Sequence, residues 1–310
     1  MPPGPNGEPQ TLTGEWREGR KGPKKAKWWY SPDATAYSRM SSIAKALDTK
    51  ENLVDWAACQ AAVGVMLDPA ARSEVVTLIN EYDADPWNNG DDESPKNGKA
   101  RLKEAVEQAR ATAGSHVASA KGTEFHKLGE LHNQGKSPRI VQDHLKPLFE
   151  HYKEAVAPLE FIQQELFVAN DELQKAGSVD YMIRMPKGLV VKVPWVKGPI
   201  DLSDRVLIGD LKTGKWDAMY PMSVTTQIAG YATAKKYDQE TGVREDLHPD
   251  LYDGLGLLVH FPIGRPDARV KFYLLDTRLG LRAAKVAQDI EELRKEFKRT
   301  GAKPKEVVFK

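Results

Sequence analysis

Cysteine is nearly absent: Cys59 is the single one in 310 residues. That excludes an internal disulfide and any four-cysteine zinc or iron–sulfur site built by this chain alone, and it predicts a reducing, cytoplasmic setting. Long apolar runs are lacking too. No stretch reaches the roughly 18 apolar residues of a membrane span, and the opening MPPGPNGEPQ has no basic-then-apolar layout of a secretory signal, so no membrane partner is expected. Nor is there an excess of charge. With 45 basic against 44 acidic residues the net charge is +1, so affinity for nucleic acid must come from local clusters. No HExxH occurs, and His132, His144, His151, His248 and His260 lack zinc-ligand spacing. The acidic stretch 81–94 lacks the spacing and closing glutamate of a calcium loop and reads as a solvated loop.

What is present divides into three parts. Residues 1–35 are rich in Pro, Gly and charge and read as a disordered tail in which Arg17, Arg20, Lys21, Lys24, Lys25 and Lys27 precede Trp28, Trp29 and Tyr30. Such a mixture either holds phosphates and stacks on bases or docks on the protein's own surface. Residues 36–115 form a helical N-terminal region, with Ile43, Leu47, Leu53, Trp56 and Ala57 at helical spacing and Cys59 expected as a small buried helix residue. Residues 116–310 form the third part. Helical patterns run to about residue 156, and then β-type runs appear: FIQQELFV, SVDYMIRM, GLVVKVPWV, RVLIGDLKT, GLGLLVHFP and RVKFYLLDT. A helix is expected over 222–237 between the fourth and fifth runs, and a last one carries Val286, Ile290, Leu293 and Phe297 on one face. This order predicts an α/β (α+β) core: a central mixed sheet flanked by helices.

The chemical signal is RVLIGDLKTGK, an apolar strand that ends by offering Asp210 and Lys212. Side chains two apart on a strand share a face about 7 Å apart. A lone D-x-K is weak, since such pairs often make surface ion pairs. The preceding strand strengthens it by offering Asp180 as a second carboxylate, with pairing to Arg184 or Lys187 as the plainer role. Two carboxylates and a backbone carbonyl suit Mg²⁺ or Mn²⁺, and a hard cation is what phosphodiester hydrolysis needs. Lys212 would orient the attacking water or stabilise developing charge. Upstream, GTEFH places His126 in a helix, either a nitrogen ligand or an ordinary hydrogen-bonded histidine. Downstream, QIAGY puts Gln227 and Tyr231 on one helix face, where they either hold DNA or pack the sheet.

Taken as an ordered set, GTEFH, QQEL, GSVD, GDLKTG and QIAGY, the chain resembles the PD-(D/E)XK nucleases, in particular their RecB-like exonuclease branch, over residues 114–275. The opening SRMSSIAKAL resembles phage-encoded members. The resemblance implies a restriction-endonuclease-like core and a Mg²⁺- or Mn²⁺-dependent DNA exonuclease leaving 5′-phosphate and 3′-hydroxyl ends. By resemblance, Asp180, Asp210 and Lys212 are catalytic. His126, Asp180, Asp210 and the Leu211 carbonyl are the metal ligands, and Gln227, Tyr231 and Thr213 contact substrate. Glu165 matches an acidic position of the family, as ligand or as strand-end charge. One departure is the absence of the iron–sulfur cysteines of the CRISPR-associated relatives, which implies no cluster and favours phage DNA recombination or processing in the host cytoplasm. Implied partners are DNA and a recombinase, single-strand annealing protein or helicase. The same active site would also serve a structure-specific endonuclease, and a retired nuclease fold would serve as a non-catalytic DNA-binding protein. A second departure, WVKGPIDLSD between the Asp180 and Asp210 strands, reads as a hairpin extension or a loop.

Overall fold

The computed structural model describes residues 15–18, 25–30, 36–47, 51–91, 97–214, 221–238 and 243–299. The chain divides into two compact units, one made of Met1–Asp48 with His126–Lys310, the other of Thr49–Phe125. The expected borders at 35/36 and 115/116 therefore move. Residues 36–48 belong with the larger unit because Met40, Ile43 and Ala44 are buried in its main core.

The chain opens with strands β1 (Glu15–Glu18) and β2 (Lys25–Tyr30), which pair antiparallel, followed by β3 (Ala36–Arg39) and a 3-10 helix, Met40–Ala46. The expected disordered tail thus contains a described hairpin at 15–18 and 25–30, whose KAKWWY segment has the aromatic content that favours strands. The remainder of that tail lies outside the described residues.

The smaller unit holds α1 (Glu51–Leu67), α2 (Pro69–Glu81), α3 (Gly98–Thr112) and the start of α4 (Val117–Asn133). Asp68 caps α2 by accepting from the Ala70 and Ala71 amides, and its other oxygen accepts from Thr112 and Gln108 of α3, so one carboxylate starts a helix and ties it to the next. On α1, Gly64 faces the Ala109 carbonyl so closely that an added Cβ would lie 2.0 Å from it, so this crossing tolerates only glycine. Cys59 is exposed, contrary to expectation: α1 is apolar on nearly every side, and packing against α3 covers only one of them.

In the larger unit, α4 is followed by α5 (Lys146–Val156), β4 (Glu160–Asn170), β5 (Lys175–Arg184), β6 (Val190–Val191), β7 (Ile200–Asp201) and β8 (Val206–Lys212). Then come α6 (Met222–Ala232), β9 (Lys235–Tyr237), β10 (Arg244–Glu245), β11 (Leu251–His260), β12 (Lys271–Asp276) and α7 (Thr277–Arg299). The fold is mixed α+β with a central mixed sheet flanked by helices, as expected. β5 is its hub: one edge carries β4 antiparallel, while the other carries β3 in parallel at its start and β8 antiparallel at its end. β8 pairs in parallel with β11, and β11 pairs antiparallel with β12. The run GLVVKVPWV forms only the two-residue β6, and with β7 it makes a separate two-stranded hairpin. Pro194 within the run and the turn at Gly188 (φ +73°) leave little room for a longer ladder.

α6 and α7 cover one face of the sheet, where Ile208, Ile228, Leu258 and Ala284 share the main core. The close contact is made by small residues: a Cβ on Gly280 of α7 would lie 2.5 Å from the Thr225 carbonyl of α6, and one on Gly256 of β11 would lie 2.3 Å from Ile228. α5 covers the opposite face, where the ring of His151 lies 5.8 Å from that of Phe261. No helix among the described residues is long and apolar enough to cross a membrane.

Candidate active site

β8 is an interior strand, and its sequence VLIGDLK is buried through Leu211. A strand covered on both faces should read as a continuous apolar run, so Asp210, at 2% exposure, is the anomaly that marks the site. The last β5–β8 pair is Tyr181↔Gly209, and one further step in that register sets Asp180 across from Asp210. On the other side of β5, the pairs Gln164↔Tyr181 and Leu166↔Val179 bracket Glu165 and Asp180. Three carboxyl groups from β4, β5 and β8 therefore stand in one row across the sheet.

The row sits at a fault in the pleat. Val179 packs in the core with Ile228 and Tyr231, whereas Tyr181 packs edge-on against Phe161, ring centroids 5.2 Å apart. Residues two apart on a regular strand would share a face, so the alternation changes phase at Asp180. Opposite it, Glu165 takes the left-handed conformation, φ +51°. A glutamate held there is strained, and backbone strain of this kind concentrates at functional sites.

Electrostatically the row is frustrated. Burial, followed by the neighbouring Asp210 carboxylate, pushes Asp180 up to about 8, with Glu165 adding to the same effect and Lys212 opposing it. Asp180 therefore keeps a proton at neutral pH and lies within hydrogen-bonding reach of Asp210. Burial raises Glu165 as well, helped by Glu130. Lys212 folds back onto Asp210, its Nζ donating to Oδ1 at 2.8 Å and lying 2.6 Å from Oδ2. No hydrogen bond is directed at that buried Oδ2. Gln227 Nε2 donates to Asp210 Oδ1 at 3.3 Å. Tyr231 is 5% exposed, and its hydroxyl is raised by burial and by Asp180, Asp210 and Glu165 while it hydrogen-bonds Gln227. Gly177 leaves room for that hydroxyl, which would lie 3.1 Å from a Cβ there. His126, half-buried on α4, is held below the usual imidazole range by burial and then by the Lys212 ammonium, so it is neutral.

Every site residue expected from the sequence thus belongs to one neighbourhood: His126, Glu165, Asp180, Asp210, Lys212, Gln227 and Tyr231 by the interactions above, Leu211 and Thr213 by position on and just beyond β8. Leu211 is fully buried, two residues past the last β5–β8 pair, and Thr213 is half-buried. Two further residues of this neighbourhood were not expected from the sequence. Glu130 lies one helical turn after His126 and has its carboxyl raised by burial, beside Glu165 and Tyr181; the i, i+4 spacing was its only signal. His260 pairs with Lys212 in the β8–β11 register and, 2% exposed, hydrogen-bonds the Gly214 carbonyl through Nε2 at 3.0 Å. Together with the Phe261 amide donating to the Lys212 carbonyl at 2.8 Å, it anchors the chain where it leaves the sheet.

The donor set fits a hard divalent cation. It offers buried carboxylate oxygens, one of them without a directed hydrogen bond, and a neutral imidazole. Among the described residues no three His, Cys, Asp or Glu side chains stand already gathered as a cage. Within the row the Lys212 ammonium lies against Asp210. Comparison with protein-family models and with curated protein sequences finds no match to this chain.

Proposed function

We propose that the chain is a divalent-metal-dependent DNA nuclease of the RecB-like PD-(D/E)XK type, acting as an exonuclease. The observation that carries this reading is the convergence on Asp210 of residues from four separate elements: His126 from α4, Asp180 from β5, Lys212 from β8 and Gln227 from α6. A structural ion pair would need only Lys212, which lies on the same strand as Asp210.

The ligands are Asp180, Asp210, the Leu211 carbonyl and His126, with Glu165 beside them. A bound Mg²⁺ or Mn²⁺ would supply Lewis acidity toward phosphate and water. The chain's own residues do the rest. Asp180 and Asp210, buried and crowded together, gain most from a compensating cation, and without one their charge repels a phosphodiester. Lys212, with a side chain 45% exposed, is poised to turn from Asp210 toward the attacking water or the charge developing on phosphate. Gln227 fixes the orientation of Asp210, and Tyr231 fixes Gln227. His260 holds the turn after Lys212, which keeps the lysine at the strand end.

The test is degradation of end-labelled linear DNA beside closed circular DNA, with Mg²⁺, Mn²⁺ or EDTA. Loss of linear DNA alone, stopped by EDTA and slowed at least about 100-fold by Asp210→Asn or Lys212→Ala, is the expected result. Cutting of circles would move the function to an endonuclease on the same residues. Folded protein that cuts neither substrate would overturn the proposal in favour of a DNA-binding role.

A further inference from the structure

The sequence put Val286, Ile290, Leu293 and Phe297 on one face of α7, and such a face normally packs on the core. The fold buries a different one, Thr277, Gly280, Ala284 and Ala287. The large apolar residues are left outside: Leu279 is 56% exposed, Val286 50%, Leu293 54% and Phe297 62%. With the partly exposed Ala283 and Ile290 they form a continuous stripe at steps of four, three, four, three and four residues. Eighteen residues in five steps keep the stripe on one side of the helix along its whole length, and alternating steps of four and three are those of a two-helix seam. An unbroken apolar stripe of this kind marks a docking surface.

We propose that the α7 stripe is the interface between two copies of this chain, packed antiparallel about Gln288. The stripe reads the same in both directions from that residue. Leu279 falls opposite the partner's Phe297, Ala283 opposite the partner's Leu293, and Val286 opposite the partner's Ile290. Ala283 thereby meets a leucine and Phe297 a residue smaller than itself, which evens the packing of the seam. A parallel pairing would set Ala283 on Ala283, leaving a gap, and Phe297 on Phe297, crowding one end. The flanking charges agree with the antiparallel choice: Arg282 faces the partner's Glu296, twice by symmetry. Asp289 meets its own copy across the axis, but it is exposed, and like charges in water at that site cost little. The seam is about 27 Å long at the helical rise, a modest interface, so association should depend on concentration within an ordinary range.

The experiment is sedimentation equilibrium of the full chain between about 1 and 100 µM, with circular dichroism of each variant. The expected results are a dimer for the native chain and a monomer of unchanged helicity and melting temperature for Leu293→Lys. Arg282→Glu should weaken the dimer about tenfold, because two attractions become repulsions, and adding Glu296→Arg should restore it. A native chain monomeric throughout, a Leu293→Lys variant that still dimerises, or a charge swap that fails to restore association would each overturn the proposal.

Discussion

Two polar clusters share strand β5, and they are built on opposite terms. At its start Lys175, 3% exposed, donates to Glu291 of α7 at 2.9 Å and to Ser38 of β3 at 2.6 Å, so a buried charge is met from two sides. Further along the same strand Asp180 faces Asp210 and Glu165, and burial, followed by the charge of these neighbours, pushes its carboxyl up. The first cluster clamps the N-terminal strand and the C-terminal helix to the sheet. In the second, Lys212 and Gln227 meet Asp210, but Asp180 and Glu165 stay crowded beside it, an arrangement that suits the proposed cation site. The first cluster pairs unlike charges, whereas the second keeps like ones together.

That contrast is broken most forcefully at Lys175. Lys175→Ala should lower the unfolding free energy by about 3 kcal/mol in urea titration, because Glu291 and Ser38 lose their partner, while Lys175→Met combined with Glu291→Leu should sit nearer the native value. A loss just as large for the double variant would mean that the charge pair itself, rather than an orphaned partner, is what matters.

Asp180→Asn should act in the opposite direction. With EDTA present it should raise stability by on the order of 1 kcal/mol near neutral pH, by replacing a buried carboxyl that must take up a proton on folding, while lowering the proposed nuclease activity. The pH dependence sharpens this. The carboxyl's folded value of about 8 lies above the roughly 4 of an unfolded chain, so between these limits the folded state binds more protons and its stability falls as pH rises. Asp180→Asn should flatten that slope, and a slope that survives would move the proton to another group. The smallest effect belongs to Cys59→Ser: with the side chain exposed on α1, neither melting temperature nor DNA degradation should change.

Much of this was legible in sequence, and the failures share a cause. Asp210 stood out because β8 is otherwise apolar, and Asp180 because its strand precedes it; a charge inside a strand pattern is conspicuous. Glu130 was not, since a glutamate on a helix looks like any solvated residue until the sheet closes against it. The packed face of α7 was not legible, because periodicity follows large apolar side chains, whereas the approach of α6 demands Gly280, Ala284 and Ala287. Cys59 was misplaced by the same habit: an apolar helix was taken for a buried one. At 15–18 and 25–30 composition argued for disorder, whereas the strands pair there, a feature that composition does not register.

The parallel pairing of β3 with β5 also sets a timetable. Ser38 and Lys175 are 137 positions apart, so on a ribosome adding about 5–20 residues per second the first core strand waits on the order of ten seconds for its partner. During that interval the helical unit, whose contacts are local, can complete itself while β3 and the Met40–Ala46 turn remain without a sheet to join. Synthesis order and assembly order are thus reversed at the N-terminus, and the nascent chain must carry its earliest apolar segment unprotected until the site strand's neighbour emerges.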